Sequence, residues 1–129
     1  MKNTALTTIN ASLSDTGWVN GTVISPLPAG VASFTVFKCR KIGNIAYVQG
    51  RVDANTLVLN SSVVIGNVPS TMFPTTPNNN TMAPITCYTG SNVAQINEMC
   101  VDFQGNLTLR RYITVTTSSV IFFGSYLTN

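Results

Sequence analysis

The chain has 129 residues, of which only 9% are charged, and it carries a formal net charge of +3. An ordinary domain carries ~25% charged residues, so here a mean hydropathy of +0.25 is balanced mainly by neutral Asn, Ser and Thr. The length bounds a single domain burying roughly 70% of its extended surface. The mild basicity excludes a dedicated nucleic-acid surface, and the low charge marks part of the apolar surface as meeting another subunit.

The opening stretch MKNTALTTINASLSDTGW lacks a continuous apolar core, so it does not read as a secretory signal. No apolar run reaches the ~18 residues of a membrane span. Sequons begin at Asn10, Asn20, Asn60, Asn79 and Asn106, and without a secretory signal they carry little meaning. No sustained helical period appears, while period-two alternation keeps returning.

The first clear element is FTVFKCRKIGNIAYVQGRV, Phe34 to Val52. Gly43-Asn44 is a two-residue turn of the kind that accepts positive φ. Folding there pairs Ile42 with Ile45, Arg40 with Tyr47, Lys38 with Gln49 and Val36 with Arg51. Phe37, Cys39, Val48 and Val52 then share the core face, with Lys41 near the turn. The opposite face is polar and basic, as in a half-buried antiparallel hairpin.

TLVLN, SVVIGNV, APITCYTG and NVAQI follow as short strand candidates. VPSTMFPTTPNNNTMAP, Val68 to Pro84, reads as a long surface loop of the kind that often carries function. In MCVDFQGNLTLRRY a three-residue loop, Gln104-Gly105-Asn106, predicts a second hairpin. It puts Met99, Val101, Phe103, Leu107 and Leu109 on the buried face, with Cys100 and Asp102 opposite Arg110 and Thr108. YITVTT and SVIFFGSYLTN close the chain, and apolar residues on both faces of the last strand predict cover on both sides. Many short strands with Gly and Pro turns make an all-β antiparallel sandwich or barrel.

The chain has no histidine, which removes His-dependent triads and His zinc sites. Cys39, Cys87 and Cys100 have no metal-ligand spacing and read as free, mostly buried thiols of a reducing compartment, with one disulfide and a spare thiol as the alternative. No phosphate-cradling glycine motif is present, so no cofactor is expected. Glycoside hydrolysis needs two carboxylates, but Glu98 and Asp102 lie about 13 Å apart along one strand. That exceeds the ~9.5 Å of an inverting pair, so neither a catalytic residue nor a metal site is assigned.

The ordered pieces resemble head domains of receptor-binding proteins and tail fibres of phages infecting Gram-positive bacteria. In that family an early Trp precedes an RKxGNxVxVxG hairpin; here Trp18 and CRKIGNIAYVQG fill those places. VVIGNVPSTMFPTT, VDFQGNLTLRR and FFGSYLTN are similar to the later segments, so the likeness spans residues 18–129. It implies a jelly-roll-like β head assembled as a homotrimer, made in the host cytoplasm and carried at the virion tail tip among other tail proteins. Such heads bind host cell-wall saccharides, often phosphate-bearing, without cleaving them. Residues 1–17 then read as a linker remnant before one head domain.

In that setting Arg40 and Arg51 are either the wet face of a hairpin or contacts to glycan phosphate or uronate. Tyr47 offers a stacking surface beside them. Trp18 reads first as a core or subunit-interface plug and otherwise as a platform for a pyranose, and Tyr112 joins the candidate ligand contacts, as Tyr88 and Tyr126 could. A structural tail-tip module without glycan binding is the alternative function, and a small glycan hydrolase a further one.

Overall fold

The computed structural model describes residues 14–54, 61–75, 82–89, 97–111 and 118–128. Among these residues nine antiparallel strands follow in chain order: β1 (Val19–Asn20), β2 (Thr22–Val23), β3 (Val31–Ile42), β4 (Ile45–Ala54), β5 (Ser61–Asn67), β6 (Met82–Thr89), β7 (Asn97–Asp102), β8 (Asn106–Arg111) and β9 (Ser118–Leu127). They form one sheet in the order β1-β3-β4-β9-β6-β7-β8-β5-β2. The two ends of that order are halves of one short segment. Val19 pairs with Cys39 on β3, and Val23 with Gly66 on β5. This strap closes the sheet into a nearly complete antiparallel barrel, the all-β architecture expected from the alternation.

The β3–β4 hairpin has the expected register, with Ile42 opposite Ile45, Arg40 opposite Tyr47, Lys38 opposite Gln49 and Val36 opposite Arg51. Gly43 turns at φ 59, the left-handed conformation that a two-residue hairpin loop requires. A register shift between Phe34 and Val36 lets Phe34 and Phe37 both turn inward. Their rings stack at 5.6 Å between centroids, and each meets Phe122 edge-on, at 6.4 and 6.0 Å. Around them lie buried Cys39, Val48, Val52, Ile65, Met99, Val101, Leu107, Leu109 and Val120.

The second hairpin departs from expectation by one loop position. Val101 faces Leu107, Cys100 faces Thr108 and Glu98 faces Arg110, so the loop is Phe103-Gln104-Gly105. Gly105 holds the left-handed position, φ 80, and its N–H donates to the Asp102 carbonyl at 2.9 Å. The Asp102 carboxylate accepts from the backbone N–H of Gln104 and of Asn106 and from the Asn106 amide, each at 2.9 Å. That local lock selects the earlier loop. The shift preserves the faces of the strands but moves Phe103 into the turn, where it is 45% exposed and not in the core.

Two further expectations are corrected. The described parts of the Val68–Pro84 stretch are more ordered than an open loop: Ser70–Met72 makes a 3-10 turn whose Met72 is buried, Pro74 bridges to Thr128, and Met82 to Pro84 already belong to β6, while residues 76–81 lie outside the described residues. Tyr126 Oη, from the inner face of β9, donates to the Met72 carbonyl at 2.9 Å and fastens this segment over the core. Trp18 is no core plug, being 44% exposed outside the strap. The strand candidates TLVLN, NVAQI and YITVTT lie outside the described residues.

Candidate functional site

Strand alternation generates the outer face. With Phe122 and Val120 inside, Ile121, Phe123 and Ser125 point outward from β9. Pairing then aligns outward residues in rows across neighbouring strands. One row runs Arg40, Tyr47, Ser125; the next runs Lys38, Gln49, Phe123, Thr86; the third runs Val36, Arg51, Ile121, Tyr88. Phe123, 52% exposed, and Tyr88, 51% exposed, stand out from this surface.

A groove of about 540 Å³ is cut into the face along the first two rows. Trp18, Tyr47 and Phe123 supply aromatic walls, Gln49, Thr86 and Ser125 supply neutral polar groups, and Gly124 lies at its floor. The groove opens because β6 divides its pairing. Thr86 to Thr89 bond to β9, whereas Met82 to Ile85 bond to β7. Pro84 sits at that parting and has no N–H to donate to a strand. It lines the groove's far side.

Arg40 and Arg51 are each engaged by a carboxylate of this chain. Arg40 Nε donates to Asp15 Oδ1 at 2.9 Å, and a second guanidinium nitrogen pairs with Asp15 Oδ2. The Arg40 side chain and the Gly17 N–H together hold the Asp15 carboxyl down at about 2. Arg40 also lies 5.8 Å from the Trp18 ring centroid, within cation–π range. Arg51 is set apart along β4. Its Nε meets Asp53 at 3.4 Å and a terminal nitrogen donates to Ser119 at 2.8 Å. Asp53 titrates below the usual range, first because Ser119 donates to it. Lys41 Nζ donates to the Thr71 carbonyl at 2.9 Å.

Of the sequence-derived candidates, Trp18 and Tyr47 therefore meet in one groove, while Arg40 borders them through Trp18. Arg51 lines an adjoining depression of about 390 Å³ with Val36 and Ile121, which shares Gln49 and Phe123 with the groove. Tyr112 lies outside the described residues. Phe123, Gln49 and Thr86 were not named as site residues from sequence; the apolar alternation of the last strand was the available signal for Phe123 alone. Tyr88 is on the outer face, and Tyr126 is turned inward with burial raising its hydroxyl above the ordinary tyrosine range.

Across β6, sharing Pro84 and Thr86 with the groove, a trough of about 700 Å³ runs over β5 to β8, where Glu98 and Arg110 face each other beside Cys87 and Cys100. All three cysteines are free thiols. Burial pushes Cys39 up to about 12 and Cys87 up to about 11. Cys100 Sγ lies 2.7 Å from the Thr108 hydroxyl. The Asp102 carboxylate is engaged by the turn. Among the described residues, no group of three or more His, Cys, Asp or Glu is placed to hold a metal ion. No protein-family model and no curated protein matches this chain.

Proposed function

We propose that this chain is the head domain of a phage tail receptor-binding protein that takes a host cell-wall saccharide in the Trp18–Tyr47–Phe123 groove without cleaving it. The observation that carries this reading is the groove itself: three aromatic side chains beside neutral amide and hydroxyl groups on one outer face. Aromatic faces stack on the C–H faces of pyranoses, and a few polar groups fix their orientation. The ordered resemblance from Trp18 to the last strand supplies the setting, a homotrimer at the virion tail tip.

Trp18 is the only tryptophan, so its emission reports on the groove. Titration with solubilised wall polysaccharides from a panel of Gram-positive strains should give a saturable change in that emission. Phe123→Ala should weaken the binding about tenfold, the equivalent of ~1.4 kcal/mol. An emission that stays constant across the panel, with no block of phage adsorption by the protein, would defeat the reading.

A structural tail-tip role is the competing reading, favoured by exposed Val36, Tyr88 and Leu127 on the same side of the barrel. That role predicts a stable oligomer with no emission change. Light scattering adds the mass, expected at three times the 13.8 kDa chain for the proposed head.

A further inference from the structure

Resting on that reading, we infer that the saccharide taken by this groove is uncharged, a neutral hexose or N-acetylhexosamine unit, and not a phosphate- or uronate-bearing one. The groove's polar lining consists of the amide of Gln49 and the hydroxyls of Thr86, Ser125 and Tyr47. Each both donates and accepts hydrogen bonds, which matches sugar hydroxyls and acetamides. Phosphate recognition instead calls for cationic donors free to form charge-assisted pairs.

The two nearby arginines are already paired with carboxylates. Arg40 spends two donors on Asp15, so an anion approaching it meets a carboxylate as well as a guanidinium. Arg51 is likewise tied to Asp53 and Ser119 and belongs to the neighbouring depression. Lys38 shares the row of Gln49 and Phe123 but does not line the groove. The face looks basic in sequence because Asp15 lies 25 residues from Arg40, and the fold brings the two into contact. Pairing of Arg40 with Asp15 and of Arg51 with Asp53 leaves Lys38 as the net positive charge of this face.

The test separates host wall polysaccharide by anion exchange into neutral and phosphate-bearing fractions and titrates each against Trp18 emission. Binding is expected in the neutral fraction, with the apparent Kd changing less than about twofold between low and high salt because little screenable attraction is involved. Arg51→Gln is expected to leave that affinity unchanged within the same margin. Binding confined to the phosphate-bearing fraction, or a Kd that weakens about tenfold with salt, overturns the inference while leaving carbohydrate recognition intact. Silence in both fractions overturns the saccharide reading of the groove, and this inference with it.

Discussion

The strap that closes the barrel depends on the absence of a side chain at Gly21, and Gly21→Ala tests that dependence. A Cβ there would stand 2.2 Å from Phe37 Cε1 and 2.4 Å from Cδ1. Relaxed carbon contacts lie at about 3.5–4.0 Å, so strap or ring must move by more than about 1 Å. The ring has little room: it is 5% exposed, stacked on Phe34 and edge-on to Phe122. Gly66 crowds the same ring edge, since a Cβ on it would lie 2.9 Å from Cε1. The strap must therefore lift.

Lifting strains the bonds from Gly21 N to the Phe37 carbonyl, 3.0 Å, and from Ile24 N to the Ile65 carbonyl, 3.2 Å. Each contributes about 1 kcal/mol, and overpacking of a tight site costs roughly 1–3 kcal/mol. These alternatives overlap, so the expected loss is about 2–4 kcal/mol. Urea unfolding followed by far-ultraviolet circular dichroism measures it. Adding Phe37→Leu frees space at the same point, and the double-mutant cycle should show a coupling of at least ~1 kcal/mol. A loss under about 0.5 kcal/mol that is additive with Phe37→Leu would refute the steric account of closure.

Three further outcomes follow from the same geometry. Phe122→Ala should cost about 3–5 kcal/mol, whereas Phe123→Ala, one residue along but outward, should cost under about 1 kcal/mol; equal losses in denaturant would contradict the assigned faces. Asp102→Ala should lose about 1–2 kcal/mol through the unlocked turn, and Asp102→Asn should recover most of it, since an amide oxygen still accepts from the backbone. With no histidine, stability should be level between about pH 5 and 8. It should then fall as pH rises above about 9, because native Cys39 and Cys87 keep protons that unfolded thiols release. On the acid side, the lowered Asp15 and Asp53 contribute stability above the ordinary carboxylate range, which is lost as pH falls toward about 2. Urea midpoints across pH check both limbs, and Cys39→Ala should flatten the alkaline one.

The hairpin around Gly43-Asn44 was readable because its determinants are local: a turn that fixes the register and an alternation that fixes the faces. The second hairpin was readable in its faces but not its pairing. Shifting the loop by one residue changes each partner by two positions, which leaves inside and outside unaltered, so the apolar pattern could not distinguish the choices. A carboxylate at Asp102 reaching two backbone N–H groups made the selection.

For the candidate site, the sequence named Trp18 and Tyr47 as aromatic platforms, and it presented Arg40 and Arg51 as one basic face. Both arginines are on that face, yet the groove and the second depression divide them, and each has its own acidic partner. Asp15 was invisible as that partner because ion pairing between distant segments leaves no periodic trace.

By itself, then, the sequence determined the all-β class, the first hairpin with its register, and the inward set of Phe37, Cys39, Val48 and Val52. Those features follow from side-chain period and turn chemistry, which act over a few residues. Only the tertiary structure decided that β9 lies between β4 and β6, that a glycine strap closes the barrel against Phe37, and that Trp18 and Phe123 face one groove. Those decisions bring together residues as far apart as 105 positions, since Trp18 and Phe123 line the same groove. They are settled by which strands can pair, close and exclude water together around the Phe34–Phe37–Phe122 core.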